Sequence, residues 1–364
     1  MKKSCFYYAC LPEQAQRDVY RDILLAIRGG RDTVLLKNTS LTTDQVRNVI
    51  LAVRNDYPEL FYVSFSGQKS HLRPYSNGDL ELKFHYLFSP EEQKMRIHET
   101  SKFIQYMLSH VPSNVRSSEY MTALWLHDIL ANNIFYDHDA AEKGSVIRPE
   151  AYNIIGSIRG KTAVCSGISK LYLMLCEKMG IWCAYIVGDA LPTPGNAPAE
   201  DGSERHAWNL VRTDGTYAYI DVTWDLREEK GELVEHTYFG LSEKQARLTR
   251  TADPIFPGVR FPEAPHPNPC NFFVHRQAVF SNYKQMKDYL FQAMEQRRHH
   301  VEFRLDIPDQ QPEALFDLAW DQIQKMKKHP DLKTYRFVRQ SRVCMATFHC
   351  TFIYKHENHQ NKEE

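Results

Sequence analysis

No run of about 18 uncharged apolar residues occurs in the 364-residue chain, so a membrane-spanning helix is not expected. The opening stretch, MKKSCFYYACLPEQAQRD, has two lysines but only a short apolar run before Pro12. A secretory signal needs a longer hydrophobic segment, and the flanks of Cys10 are poor for lipid attachment, so the cytoplasm is the expected location. An excess of charge of one sign is missing too. Lys plus Arg and Asp plus Glu both number 45, and neither nucleic acid nor an anionic membrane is expected as a partner. Cysteine is sparse: Cys5, Cys10, Cys165, Cys176, Cys183, Cys270, Cys344 and Cys350 are too few for a disulfide scaffold, and no CxxC pair occurs. Cys344, His349 and Cys350 lack the spacing of a zinc site and read as strand residues.

Apolar residues make up 43% of the chain and aromatics 12%, enough for sizeable cores, and the length suits two or three domains. Three blocks emerge, and the expected fold class is α+β. Residues 1–90 give an apolar run (Cys5–Ala9), a helical pattern over about 12–27 and a strand at DTVLLK. A helix over TTDQVRNVILAVRNDYP follows, then strands at LFYVSF and DLELKFHYLF. Residues 270–355 repeat this order, so both blocks read β-α-β-α-β-β and are expected to be two related α/β modules around a middle domain. Residues 356–364 read as a disordered polar tail.

The middle block, 91–262, carries the chemistry. SSEYMTALWLHDILANNIFYD reads as a long amphipathic helix, capped by Ser117 or Ser118. His127 and Asp128 are adjacent on it, point in different directions and read as surface or core polar residues. A second helix begins at Cys165. Ile168, Leu171, Tyr172, Leu175 and Met179 form its apolar stripe, and Gly180 is placed to end it in a left-handed conformation. Cys165 therefore lies at a helix N-terminus, where unpaired amides and the helix dipole favour a thiolate. A buried cysteine in a tight turn is the plain alternative. Cys176 and Cys183 lack that environment and read as core.

Downstream, RHAWNLVRTDGTYAYIDVTWD is a hairpin signal, with Asp214-Gly215 suited to a two-residue type I′ turn. That turn sets Thr213 opposite Thr216, hence His206 opposite Thr223 and Trp208 opposite Asp221. These four side chains share one sheet face. Asp221 is a diagonal neighbour of His206, within reach of a carboxylate–imidazole hydrogen bond. Asp225 has the same parity but lies where the strand is ending, so Asp221 is favoured. Val222 and Trp224 face the other way and read as core. A thiolate nucleophile, a histidine that moves the proton and a carboxylate that orients the imidazole make a working set. The Pro/Gly/acid loop over 190–204 directly precedes His206 and is expected to border and gate the site.

KTAVCSGIS, RHAWNLV and YIDVTWD resemble the three signature segments of the transglutaminase-like superfamily, the papain-like group with rearranged core elements. LHDILANNIFYD and HTYFGLSEKQ are similar to stretches bordering that core in bacterial members, so the resemblance covers about residues 115–245. NDYPELFYV also resembles the N-terminal part of some bacterial chains that carry this core. The resemblance implies Cys165 as nucleophile, His206 as its partner and Asp221 as the orienting carboxylate. It also implies a helix N-terminus packed on an antiparallel sheet, and thioester chemistry on protein or peptide amides, resolved by water or an amine. The amide of Cys165 and the side chain of Tyr152 are the expected oxyanion donors, with Asn153 less favoured. The animal transglutaminases of this superfamily use calcium. No acidic loop with EF-hand spacing occurs here, so no metal or cofactor is expected. The flanking modules are expected to bind a protein or polymer partner. A non-catalytic scaffold that retains the same core is the alternative.

Overall fold

The structure is a computed structural model that describes residues 5–65, 71–191, 204–227, 233–308, 310–325, 330–339 and 345–355. Cys344, the tail over 356–364 and nearly all of the 190–204 loop lie outside the described residues. The fold is mixed α+β, as the sequence implies.

In the first block, helices Gln14–Arg28 and Thr43–Asp56 pack on strands Thr33–Leu36, Leu80–Lys83 and His71–Pro74, which form an antiparallel sheet in that spatial order. Thr42 and Gln45 make a reciprocal capping box that starts the second helix. The apolar run after Cys5 is not a strand. Phe6–Cys10 is a short helix, and the Asp56 carboxylate supplies its missing cap, accepting from the amides of Tyr7 (3.0 Å) and Tyr8 (2.9 Å) and the Tyr20 hydroxyl (2.7 Å). Burial alone would hold the Asp56 carboxyl far from its usual range. These three donors pull back against it, and it rests at about 7. The strands read as LFYVSF and DLELKFHYLF are shorter than expected: Pro58–Leu60 is a 3-10 turn, and only Val63–Ser64 pairs with His85–Tyr86.

The central sheet has five antiparallel strands, in the order Phe239–Leu241, Thr216–Ile220, Glu204–Thr213, Trp182–Ala190, Arg250–Ala252. The hairpin register is the one the Asp214-Gly215 turn dictates, from Thr216 opposite Thr213 to Ile220 opposite Asn209. Across this sheet lies the helix Cys165–Lys178. Two hydrogen bonds clamp it there: Ser169 Oγ donates to the Ala207 carbonyl and Asn209 Nδ2 to the Ser169 carbonyl, both at 3.0 Å. Gly180, at φ 78°, ends the helix and lets the Ile181 amide return to the Cys176 carbonyl (2.9 Å). At the other end, Gly167 lets the 151–153 backbone approach; a methyl there would lie 2.6 Å from the Ala151 carbonyl oxygen. Cys176 and Cys183 are fully buried core residues.

The last block has strands Val279–Phe280, His300–Leu305, Ala346–Tyr354 and Leu332–Arg339 in that order, with helices Tyr283–Glu295 and Pro312–Gln324 between them. Its helix–strand–helix–strand–strand run places the last strand between the other two, as the first block does with Leu80–Lys83. Among the described residues the first block has no counterpart of Val279–Phe280, the corresponding segment Phe6–Cys10 being helical. One apolar core runs from Cys5 through the first block and the central sheet to Phe273, so Ile23, Val46 and Val53 pack in the same core as Leu171 and Tyr172. A second core serves residues 278–354. Among the described residues, no helix is long and apolar enough to cross a membrane.

Candidate active site

Cys165 is the first residue of its helix, preceded by Val164 in an extended conformation. The first amides of a helix have no intrahelical acceptor, so they and the helix dipole converge on this position. The residue is 8% exposed and borders a cleft of about 350 Å³, whose lining includes residues of the first block, notably Tyr57 and Phe61.

His206 reaches the cleft from the strand Glu204–Thr213. It lines the same cleft as Cys165, and its Nε2 lies 2.7 Å from Asp221 Oδ2. The pair is nearly dry, at 5% and 1% side-chain exposure. Burial disfavours the imidazolium, but the charge of Asp221 and hydrogen bonds to Asp221 and Cys165 outweigh it, raising the His206 pKa to about 9. Asp221 is held well below the usual carboxylate range: burial opposes its charge, and the charges of His206 and Arg250 overcome that.

The structure departs from the extrapolated hairpin after Ile220. There the ladder ends and the chain turns, so Asp221 meets His206 from a turn rather than from a diagonal sheet position. The turn is fixed by the Trp224 amide donating to Asp221 Oδ1 (3.2 Å). It also corrects the reading of Trp224 as a residue of the opposite face. Its ring stacks on the His206 imidazole, with centroids 4.7 Å apart and planes 18° apart. Val222 is buried core, as expected.

Arg250, which the sequence reading passed over, completes the centre. It is 2% exposed, donates to Asp221 Oδ2, and lies 4.1 Å from the Trp224 ring centroid and 5.1 Å from that of Tyr238. No local motif marks it. It arrives through the pairing of Arg250–Ala252 with Trp182–Ala190.

Tyr152 lines the cleft, but its hydroxyl proton goes to the Ala140 carbonyl (3.1 Å). That commitment corrects the expectation that its side chain serves as an oxyanion donor. Instead its backbone carbonyl is the organising group, accepting from Ser166 Oγ and Lys170 Nζ, both at 3.1 Å. Asn153 is likewise engaged, donating to the Pro149 carbonyl. Tyr185 presents its hydroxyl to the cleft 3.0 Å from Ser166 Oγ.

Asp225 belongs to a second polar cluster. It lies 3.2 Å from His127 Nε2, and His127 Nδ1 lies 2.9 Å from Asp128. The adjacent His127 and Asp128 thus meet, contrary to the expectation that they diverge. His236 continues the chain, with Nε2 3.0 Å from Asp128 and Nδ1 2.8 Å from Glu302 of the last block, whose other oxygen meets His349 at 2.8 Å. His127, Asp128 and His236 have the composition of a cation site, but each of the four imidazole nitrogens already has a carboxylate partner.

This cluster joins the last block to the centre, and its charge state is pH-linked. Burial opposes charge on His236, yet Glu302 and Asp128 raise its pKa to about 10. Burial also opposes charge on Glu302, yet His236 and His349 lower its pKa to about 2. The His236 contribution is complete below its unfolded pKa of about 6.5 and is lost as pH rises through about 10. The Glu302 contribution is complete above its unfolded pKa of about 4.3 and is lost as pH falls through about 2. Glu302→Gln should therefore cost about 1–2 kcal/mol, most fully between about pH 4.5 and 6.5, with the gap to wild type closing on both sides. Urea unfolding across pH measures it, and a pH-independent gap would refute the ion pair.

No family model matches the chain, and no curated protein matches it. Solved structures do, two of them as follows. One is a crystal structure of a TGase, 15% identical, with a TM-score of 0.30, covering 56% of this chain and 54% of that one. The other is a candidate cysteine protease from Cytophaga hutchinsonii, 13% identical, with a TM-score of 0.24, covering 43% of this chain and 61% of that one. At these scores neither likeness bears on the chemistry, which rests on the residues of the cleft.

Proposed function

We propose that the protein is a thiol-dependent acyl-transfer enzyme on protein or peptide amides, with Cys165 as nucleophile, His206 as acid and base, and Asp221 as the group that positions the imidazole. One observation carries the reading: Cys165, at a helix N-terminus, lines one cleft with an imidazole whose Nε2 is held by a buried carboxylate. In this reading the sulfur attacks the amide carbonyl carbon and the C–N bond breaks. The His206 imidazolium gives its proton to the departing nitrogen, leaving a thioester and a neutral imidazole. Water or an amine then attacks the thioester while His206 takes its proton, and the thiolate departs. The Cys165 amide is the donor proposed for the oxyanion.

Brief iodoacetamide treatment at pH 6 should label Cys165 ahead of the buried Cys176 and Cys183, read by mass spectrometry. Peptide cleavage, glutamine deamidation and amine incorporation should then be compared, with Cys165→Ala as the control. Activity in any of the three that disappears in Cys165→Ala supports the reading and decides between hydrolysis and transamidation. Equal labelling of all three thiols, or activity that survives the substitution, favours the scaffold alternative.

A further inference from the structure

The described wall of the cleft holds Arg54, Lys170 and Arg205, and no Asp or Glu. Arg205 is already neutralised by Asp189 (3.0 Å) and Asp253 (3.1 Å). The other two cations are not. Arg54 donates Nε to the neutral Asn55 side chain (3.0 Å). Lys170 Nζ donates to the Tyr152 carbonyl and sits 5.2 Å from the Tyr185 ring centroid. Neither has a carboxylate within ion-pair distance among the described residues. The carboxyl closest in sequence to Arg54, Asp56, faces the first block and is occupied by Tyr7, Tyr8 and Tyr20.

Lys170 follows Cys165 by five positions on one helix, a rise of about 7.5 Å. It shares the Tyr152 carbonyl with Ser166, the neighbour of the nucleophile, so its ammonium is tied to the same end of the cleft. Desolvation and the like charge of Arg54 lower the Lys170 pKa to about 7. Two cations facing one partly dry cavity without a counter-ion are costly to the free protein, and a bound anion relieves that cost.

Building on the acyl-transfer reading, we propose that Arg54 and Lys170 form an anion-binding subsite beside Cys165, and that the substrate is a peptide bearing a carboxylate close to the amide attacked. The aromatic wall of Tyr57 and Phe61 suits the peptide's apolar part, while the two cations fix its direction.

The test compares alkylation of Cys165 by iodoacetate and by iodoacetamide at pH 7, in wild type and in the Arg54→Gln/Lys170→Gln double variant. Each reagent's rate depends equally on sulfur reactivity, so the ratio of the two isolates the carboxylate. The wild-type ratio should exceed the variant ratio about 5–10-fold, as expected when charges steer an anion to a pocket. Equal ratios would overturn the subsite while leaving the nucleophile intact. A raised ratio with no amide turnover would support the subsite and defeat the acyl-transfer reading. Thermal unfolding in sodium succinate against sodium chloride at matched ionic strength gives a readout that needs no reactive thiol. Tm should rise in wild type and not in the variant, and no rise in wild type would overturn the proposal. If the double variant does not fold, Arg54→Gln alone, at a partly exposed side chain, carries the comparison with a smaller expected ratio.

Discussion

Asp221→Asn should lower kcat about 10⁴-fold with little change in KM, the size of loss seen when an orienting carboxylate becomes an amide in a nucleophile–histidine–carboxylate set. The reason is local. Asp221 Oδ2 sits 2.7 Å from His206 Nε2 and also accepts from Arg250. An asparagine offers one oxygen and one NH2 group. Turned toward the two cations, the NH2 confronts both the guanidinium and the imidazole N–H; turned away, it confronts the Trp224 amide that fixes the turn, so in neither orientation is the tautomer that presents the other nitrogen to Cys165 held as firmly. The charge is lost as well. Burial disfavours the imidazolium, and Asp221 is the main force keeping the His206 pKa near 9. In the proposed reaction His206 gives its proton to the leaving nitrogen and must be charged, so the wild-type rate should fall as pH rises through about 9. In Asp221→Asn that alkaline limb should move to lower pH. The pH profile of kcat/KM decides. An unshifted limb with a reduced rate would mean that Asp221 only supports the fold.

The parts of the site legible in sequence depend on short-range rules. The Asp214-Gly215 turn fixes strand register, and register fixes which residues share a face, so His206 and Asp221 could be set near each other without coordinates, though the contact itself is made from a turn beyond the ladder. Cys165 could be placed at a helix start because the apolar stripe begins directly behind it and Gly180 stops it. Where local rules end, so does the reading. A period-two extrapolation assumes that the strand continues, but the Trp224 amide bonds back to Asp221 and turns the chain, which is why Trp224 lies on the imidazole. Phe6–Cys10 has the composition of a strand and is a helix because a carboxylate 48 and 49 positions from the amides it accepts from caps it. Arg250, the His127–Glu302 cluster and the cleft wall from the first block are products of pairing between distant segments, and nothing in their own neighbourhoods announces them. The first and last blocks read alike as an order of elements along the chain, but neither the spatial order of their strands nor the helical start of the first was legible.

Arg250→Met should destabilise the fold by about 3–5 kcal/mol, the usual consequence of removing one partner from a buried ion pair. The guanidinium is 2% exposed, packed against Trp224 and Tyr238, and bonded to a carboxylate that is itself 1% exposed. Methionine fills much of the volume and keeps contact with the rings, so cavity formation is a minor part of the loss. The larger part is Asp221, left with His206 as its remaining cation in a dry site. Arg250→Lys should recover only part of the stability, because an ammonium restores charge but not the planar fork that lies against Trp224. A double-mutant cycle separates the contributions. Removing both charges in Arg250→Met/Asp221→Asn leaves no orphaned ion, so the double variant should be more stable than the two single losses predict when added, by about 2 kcal/mol. Denaturant unfolding of the four proteins at pH 7 gives the coupling. Additive losses would show that Arg250 acts through its packing on the aromatic rings and that the ion pair with Asp221 contributes nothing of its own.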